Sequence, residues 1–258
     1  MTGTLRRVFV VVGVSAGLLS AACGGREDVA KHRERLKSKS PSVRAEAARE
    51  IAQLGPDARD AVGDLREALR DTSADVRAHA ALALGAMGSE AAEAAGDLAV
   101  ALDDDQPKVF RSVAIALSKI GVSASPAVPK LTEALAKPDP EVRGWAVLAL
   151  GGIGPAAKGT SAKLAAILAD ASNVHWVRSR SARSIGQIGP AAAEAIPQLV
   201  EALRDEHHAV RAEALWALGE MGDRAAGAVE AIRAMIRVEP VGPTRALGRD
   251  VLRKIETP

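Results

Sequence analysis

Three histidines lie close to predicted turns and are the first residues in this sequence that could bind a metal. His175 and His208 each precede a valine of a repeating pattern by two residues, and His207 adjoins the second of them. Zinc sites are built from cysteine, histidine and carboxylate ligands at close spacing. Because neither cysteines nor grouped carboxylates complete such a set, we interpret these histidines as surface residues and expect no metal and no cofactor.

Other residues that could support catalysis have simpler, non-catalytic explanations. The sequence has no glycine-rich phosphate-binding loop. The acidic run Asp103-Asp104-Asp105 is placed at a helix end, where a solvated turn accounts for it. The single cysteine, Cys23, is assigned below to lipid attachment, which leaves no thiol nucleophile. We therefore predict no catalytic residues and a non-enzymatic protein.

Composition favours thin layers of helices. Hydrophobic residues make up 48% of the 258 residues but aromatic residues only 2%, and alanine is the best helix former but too small to fill a deep core.

The formal net charge of +2 comes from Arg6 and Arg7, so the chain after residue 22 has 32 basic and 32 acidic residues. Because nucleic-acid binders usually carry a basic excess, we expect no nucleic-acid partner.

Residues 1–22 are predicted to be a signal peptide. Arg6 and Arg7 precede an uncharged apolar run of 12 residues, Val8 to Leu19. This run is too short for a membrane-spanning helix but fits the apolar region of a secretory signal. The segment Leu19-Ser20-Ala21-Ala22-Cys23 resembles a bacterial lipobox, which implies cleavage after residue 22 and a lipid on Cys23.

This interpretation divides the chain into a signal peptide (1–22), a lipidated cysteine with a short tether (23–27) and a repeat domain (28–256). The alternative to lipidation is an ordinary cleaved signal with a chance cysteine. The arginine pair is compatible with both Sec and twin-arginine export. We expect attachment to a bacterial membrane, on the periplasmic or outer-membrane side in a Gram-negative cell, since Gly24 rather than aspartate follows the cysteine.

A fixed period begins after Ser40. Six valines mark it at intervals of 33, 33, 33, 35 and 33 residues: Val43, Val76, Val109, Val142, Val177 and Val210. A glycine stands 12 residues after each valine: Gly55, Gly88, Gly121, Gly154, Gly189 and Gly222. Apolar residues fall 0, 4, 8 and 11 positions after the valine, which is typical of an amphipathic helix, and the glycine predicts a left-handed helix end.

A second helix is predicted after each glycine. Leucine or isoleucine pairs four residues apart mark it: Leu65/Leu69, Leu98/Leu102, Leu131/Leu135, Leu164/Leu168, Leu199/Leu203 and Ile232/Ile236. Pro129 and Pro197 are expected to kink this helix or to set its start. A helix pair buries its apolar stripe only by stacking on others, which predicts a solenoid of about seven pairs, with residues 28–38 as a polar-faced first helix.

The repeating unit resembles the short HEAT repeat of phycobilisome-lyase-like proteins. It reads Leu-x-x-Ala-Leu-x-Asp, a turn, and Val-Arg-x-x-Ala-Ala-x-Ala-Leu-Gly-x-x-Gly. The resemblance implies an all-α fold, a right-handed α–α superhelix, in which the Val-Arg helix lines the concave face. It also implies a structural ladder of turn aspartates and arginines, matched here by Asp71 with Arg77 and Asp205 with Arg211.

The third, fourth and fifth copies of the unit depart from this ladder. Arginine follows the valine directly in five copies: Arg44, Arg77, Arg143, Arg178 and Arg211. In the third copy Phe110 takes the place of this arginine and Arg111 is displaced by one residue. The sequence therefore does not decide whether Asp104 pairs with an arginine. Asp139 and Asp170 fall outside the family offset. We interpret the arginine row as structural and not as a phosphate-binding or catalytic row.

An apolar strip is predicted on the concave side of the Val-Arg helices. The positions three and six residues after the valines face away from the core stripe, yet several carry large apolar residues: Leu82, Ile115, Trp145, Leu148 and Trp216. Exposed apolar patches often mark binding surfaces, and tryptophan and arginine are common hot spots. We predict partner binding by this strip and by Arg180 and Arg183, which interrupt it. The alternative is that neighbouring helices bury the strip.

The single interval of 35 marks a two-residue insertion between Ala171 and Trp176. Insertions in solenoids map to loops, often on the binding face. Trp176 is therefore a further candidate for partner binding. The alternative is that Trp176 folds back onto a neighbouring turn.

These features favour a monomeric scaffold that binds a peptide or protein on its concave face. The family resemblance also implies an alternative, a bilin lyase or lyase-like chaperone, although such proteins handle pigment inside the cell and the export signal argues against it. A nucleic-acid enzyme is opposed by the balanced charge. A spacer that binds nothing specific would have a smooth, polar concave face.

Overall fold

The computed structural model describes residues 27–256, and the regular structure in that range is entirely helical. Long helices alternate with shorter ones. After α1 (27–35), the long helices are α2 (Pro41–Leu54), α4 (Ala74–Met87), α6 (Pro107–Ile120), α8 (Pro140–Ile153), α10 (His175–Ile188), α12 (His208–Met221) and α14 (Pro243–Glu256). The shorter helices are α3 (Val62–Ala68), α5 (Ala95–Ala101), α7 (Val128–Ala134), α9 (Ser161–Ala169), α11 (Ile196–Ala202) and α13 (Val229–Val238).

Each long helix from α2 to α12 runs into the following short helix through a seven-residue 3-10 segment. These segments are Gly55–Ala61, Gly88–Ala94, Gly121–Ala127, Gly154–Thr160, Gly189–Ala195 and Gly222–Ala228. Six joined long–short pairs are thus flanked by α1 and α14. If each helix is instead paired with the one that follows it across a turn, from α1 with α2 to α13 with α14, the described residues contain seven helix pairs. This is the number predicted for the all-α solenoid.

The predicted stripe forms the core of the stack. In α4, Val76, Ala80 and Leu84 are fully buried. Leu98 and Leu131, two of the predicted anchors in the short helices, are fully buried as well. Alanines and leucines from both layers therefore make one continuous core along the chain.

The six repeat glycines have positive φ, as predicted, but they do not adopt the left-handed helical conformation. Gly189 has φ 73° and ψ −151°, and Gly88 has φ 58° and ψ −130°. This is close to a region that is essentially restricted to glycine. The chain then enters the 3-10 segment directly, so the second helix of each unit has two parts. Pro129 and Pro197 occupy the first turns of α7 and α11 and set the starts of these helices.

The long helices form the inner layer of the solenoid. They approach one another closely, since a Cβ atom added to Gly85 of α4 would lie 2.6 Å from the Cα atom of Ala116 in α6. The other layer makes its contacts between repeats largely through the 3-10 segments. The more closely packed layer lies on the inside of the curve, so the long helices line the concave side.

One helical stretch, Pro107–Ala134, is long and apolar enough to cross a membrane by length and composition alone. It contains α6, the following 3-10 segment and α7. Val113, Leu117 and Leu131 within it are fully buried in the stack. Core helices satisfy the same criteria, so this stretch does not indicate a membrane span. The predicted signal peptide and Cys23 lie outside the described residues.

Arginine–carboxylate pairs join successive repeats at the turns that precede the long helices. Arg44 donates through Nε and Nη2 to the two carboxylate oxygens of Asp71, at 2.6 and 2.7 Å. The same bidentate geometry, which is the strong form of this interaction, recurs in three more pairs: Arg77–Asp104, Arg178–Asp205 and Arg211–Glu239. We call these four pairs the arginine ladder.

The pairing within the ladder differs from the one that the family resemblance implied. Arg77 does contact Asp71, but it donates Nη1 to the backbone carbonyl at 2.8 Å. Arg211 contacts the carbonyl of Asp205 in the same way, at 2.9 Å. Each of these carboxylates instead binds the arginine 27 residues earlier. Asp104 therefore does complete a rung, with Arg77. Each arginine holds its own turn and the next one together.

The ladder is interrupted at two successive positions in the middle of the solenoid. Phe110 is buried at the third arginine position, and Lys137 stands 27 residues after it. A cleft of about 420 Å³ lined in part by these two residues opens there. In the next repeat Asp170 accepts the backbone N–H of Ser172 in the inserted turn. The Nε atom of Arg143 is buried without a hydrogen-bond partner in the described part of the chain.

The ladder makes stability sensitive to acid. The hydrogen bond from Arg44 holds the pKa of Asp71 below its ordinary value of 3.8. The unfolded chain binds this proton more readily, so the stabilisation is complete above about pH 4 and is lost as the pH falls through the folded-state pKa. We expect Asp71→Asn to lower the free energy of unfolding by about 1–2 kcal/mol at neutral pH, and the deficit to shrink as the pH falls below 3.8, the ordinary pKa from which that of Asp71 is lowered.

Urea unfolding across this pH range measures the deficit. Glu201→Gln is the matched control, because its pair with Arg204 is exposed, at 73% and 72% side-chain exposure, and such pairs contribute little. A deficit for Asp71→Asn that stays constant with pH would contradict the proposed titration.

Candidate partner-binding surface

An arginine held between two tryptophans stands at the centre of the inner surface. The guanidinium carbon of Arg180 lies 4.8 Å from the ring centroid of Trp145 and 5.2 Å from that of Trp176. Both distances are within the range of cation–π attraction. Nη1 of Arg180 also donates to the backbone carbonyl of Gly144 at 3.1 Å. This Trp–Arg–Trp cluster (Trp145, Arg180 and Trp176) bridges α8 and α10.

Gly144 provides the space for the cluster. A Cβ atom at this position would lie 2.0 Å from Cζ3 of Trp176. Trp176 belongs to the first turn of α10 and packs against Gly144 of α8, so it does not lie in the inserted loop, and the element that it contacts is a helix rather than a turn. The arrangement recurs in the next repeat, where a Cβ on Gly186 would lie 2.6 Å from Cζ3 of Trp216.

A second cation–π contact continues the surface onto α12. The guanidinium carbon of Arg183 lies 5.0 Å from the ring centroid of Trp216, and its Nη2 donates to Oε1 of Glu213 at 2.9 Å. The two arginines that interrupt the apolar strip in sequence are therefore stacked on its tryptophans. Five of the eight predicted residues form these two contact groups.

The other three predicted residues form a shallow apolar track. Leu82, Ile115 and Leu148 occupy the same position on α4, α6 and α8, and all three are partly buried. They are less enclosed than the core and less exposed than Val100, which is 61% exposed on a short helix. The inner face is therefore neither the smooth, polar face of a spacer nor fully covered by packing.

The surroundings of Arg180 change the pKa of its guanidinium. Burial lowers the pKa of its guanidinium, and nearby Glu141 opposes that shift. An arginine remains protonated at any physiological pH. Glu141 itself accepts a hydrogen bond from Nε1 of Trp145 at 3.0 Å. The cluster thus presents a permanent positive charge in a poorly solvated, aromatic setting.

The histidines lie apart from this surface in a turn-to-turn contact. The rings of His175 and His207 stack with centroids 4.3 Å apart and an angle of 27° between planes. His208 begins α12. Within residues 27–256 no group of three or more His, Cys, Asp or Glu side chains could hold a metal ion. The stacking was not predicted, because it joins turns of different repeats.

Comparison with known proteins gives a family match and several structural matches. A family model described as HEAT repeats matches residues 29–118, 98–174 and 161–253. No curated protein matches the sequence. Among solved structures, an engineered protein is similar with a TM-score of 0.65 at 23% identity, over 89% of this chain and 68% of that one.

Two natural proteins are also similar in structure. The complex of CpcE and CpcF of phycocyanin lyase from Nostoc has a TM-score of 0.52 at 20% identity, over 98% of this chain and 100% of that one. A structure concerned with the interaction between cadherin and beta-catenin has a TM-score of 0.53 at 19% identity, over 88% and 52% of the two chains. At these identities the similarity shows the fold alone.

The contact between Gly144 and Trp176 can be tested by a double-mutant cycle. We expect Gly144→Ala to destabilise the protein by about 1–3 kcal/mol, because the added methyl displaces the indole from a packed site. In a Trp176→Ala background the same substitution should cost much less. Gly159→Ala is the control, since a Cβ there meets no atom within 4 Å. Equal costs of Gly144→Ala in both backgrounds would show that the indole does not require the glycine.

Proposed function

Because this chain belongs to the HEAT-repeat family, we propose that it is a non-enzymatic scaffold that binds a peptide or protein on its inner surface. The observation that carries the proposal is the line formed by the Trp–Arg–Trp cluster, the Arg183–Trp216 contact and the apolar track of Leu82, Ile115 and Leu148. Tryptophan and arginine supply much of the binding energy at protein interfaces. A chain with only three tryptophans has all of them here.

The fold is suited to this role. Stacked repeats create an extended inner surface, and a partner can contact several repeats at once. The similar beta-catenin structure concerns a protein that interacts with cadherin. Rigid aromatic side chains on successive helices lose little conformational entropy on binding, which favours affinity.

We further propose that a lipid on Cys23 holds the solenoid at the outer side of a bacterial membrane. The support for this is the signal-like segment and the lipobox resemblance of residues 19–23. Residue 27, the first residue that the structure describes, is already helical, and four extended residues span at most about 14 Å. The first repeat would therefore stay next to the membrane surface.

The alternative of a bilin lyase or lyase-like chaperone receives support only from fold similarity to the phycocyanin lyase complex, at 20% identity. Fold alone does not carry an activity. The predicted export signal also separates this chain from pigment handled inside the cell. The interaction scaffold is therefore the function that we propose.

The binding surface can be tested by partner recovery from membranes of the producing cell. We expect Trp145→Ala/Leu148→Ala to reduce crosslinked partner recovery at least about tenfold, because truncation of central aromatic and aliphatic contacts costs more than about 1.4 kcal/mol. Quantitative mass spectrometry of crosslinked material measures the change.

Val100→Ala/Val122→Ala is the matched control. These valines are apolar and exposed, at 61% and 65%, and belong to a short helix and a 3-10 segment rather than to the inner layer. Circular dichroism establishes that both double variants are folded. Equal recovery from the two variants would argue against the inner surface as the binding site.

Membrane attachment has a separate test. We expect Cys23→Ser to abolish incorporation of labelled palmitate and to move the protein from the membrane fraction to the soluble exported fraction, since acyl chains supply the anchoring energy. Ser20→Ala, which keeps the cysteine, serves as the control. Membrane retention of unlabelled Cys23→Ser would contradict a lipid anchor.

A further inference from the structure

The inner surface carries positive charge that the described residues do not neutralise. Arg111 and Lys119 on α6 are exposed and have no ion pair within residues 27–256. Arg180 on α10 likewise has no carboxylate partner at salt-bridge distance in this range. Arg111 and Arg180 lie on helices that flank α8, where Trp145 and Leu148 are located.

Several other cations of the inner layer have a carboxylate partner. Lys108 donates to Asp75 at 2.7 Å, Arg183 to Glu213 at 2.9 Å and Lys254 to Glu220 at 3.0 Å. Arg111 and Arg180 are thus unpaired charges on the central helices, one on each side of the helix that carries Trp145 and Leu148. Their position coincides with the surface assigned above to partner binding.

Arg180 is arranged as a receptor for an anion. The indoles of Trp145 and Trp176 fix the guanidinium, so little side-chain freedom remains to be lost on binding. A guanidinium has five N–H donors, and within residues 27–256 Arg180 donates to one acceptor, the Gly144 carbonyl. Its remaining donors are not among the buried, unpartnered polar atoms of the described chain, so they reach the surface. A carboxylate matches such a planar fork in bidentate geometry.

We propose that the occupant of this surface is an acidic peptide segment in extended conformation. One carboxylate binds Arg180, a second binds Arg111, and an apolar side chain between them lies on Leu148. This inference rests on the proposed binding function and specifies the chemistry of the partner.

The distance between the two cations predicts the spacing of the acidic residues. Arg111 and Arg180 stand two and three residues after the marker valines of α6 and α10, and these two helices are separated by α8. Neighbouring helices are about 8–10 Å apart, so the two sites are about 16–20 Å apart. An extended chain covers about 3.3 Å per residue, which gives acidic residues about five or six positions apart.

Selection of phage-displayed random 12-residue peptides on the full chain in detergent tests the proposal. We expect retained peptides to be enriched in aspartate and glutamate at this spacing, with a leucine-type residue between. Synthetic copies should bind about tenfold more weakly when their acids are changed to amides, and binding should weaken as salt is raised.

Variants of the protein complete the test. Arg180→Gln should weaken the selected peptides about tenfold, and Arg111→Gln should weaken them several-fold without any effect on folding, because Arg111 is exposed and unpaired. Arg204→Gln, outside the inner layer, is the control and should leave binding unchanged.

The outcomes separate this inference from the proposed function. Peptides that depend on Trp145 and Leu148, but show no acidic enrichment or bind Arg180→Gln as tightly as wild type, would overturn the inference and leave the binding surface in place. Failure to retain any peptide would also overturn the inference. The membrane crosslinking experiment would then decide the proposed function independently.

Discussion

No helix pair in this chain can bury its apolar stripe without a neighbour, and the rest of the structure depends on that constraint. The stripes are built mainly from alanine and leucine, and the inner helices approach until the backbone of α4 nearly touches Ala116 of α6. Such close contact leaves no space for large side chains between the helices. The three tryptophans are therefore found on the inner surface and not in the core, and two of them, Trp176 and Trp216, lie over glycines.

Two kinds of contact then fix the geometry between repeats. At the turns, each ladder arginine binds a backbone carbonyl of its own turn and a carboxylate of the next. On the inner side, cation–π stacking joins α8, α10 and α12. The Trp–Arg–Trp cluster bridges the same two repeats in which Arg143 and Asp170 do not pair. In these two central repeats, cation–π stacking joins the inner side, whereas the turns lack the arginine–carboxylate pair.

The helix pairs and the core could be predicted because both follow from periodicity within one repeat. The valine and glycine markers predict the six long helices from α2 to α12, and the leucine and isoleucine anchors predict the short helices from α3 to α13. Arg44 and Asp71 were not recognised as partners, since they belong to different repeats and their pairing depends on how the repeats stack. For the same reason the sequence does not decide whether Trp176 lies in a loop or folds back onto a neighbouring turn.

Some of the missed geometry did leave a signal in the sequence. A glycine in the middle of a long helix is unfavourable for helix formation. Gly144 and Gly186 therefore indicate that packing, and not helix propensity, determines the residue at these positions. A tryptophan follows each of them by about one repeat, at Trp176 and Trp216. A glycine on one helix and a large aromatic at the facing position of the next predict close contact. The bidentate arginine–carboxylate pairs, by contrast, could be recognised only in the folded structure.

The interruption of the arginine ladder has a mechanical consequence. A solenoid acts as a spring whose stiffness is set, coil by coil, by the ties between successive turns. Intact rungs stiffen both ends, while the coils around Phe110 and Arg143 lack them and leave a cleft at the turn edge. Elastic strain therefore concentrates at the centre, so a load applied to the two ends would open or close the curve around the tryptophans while each end kept its shape.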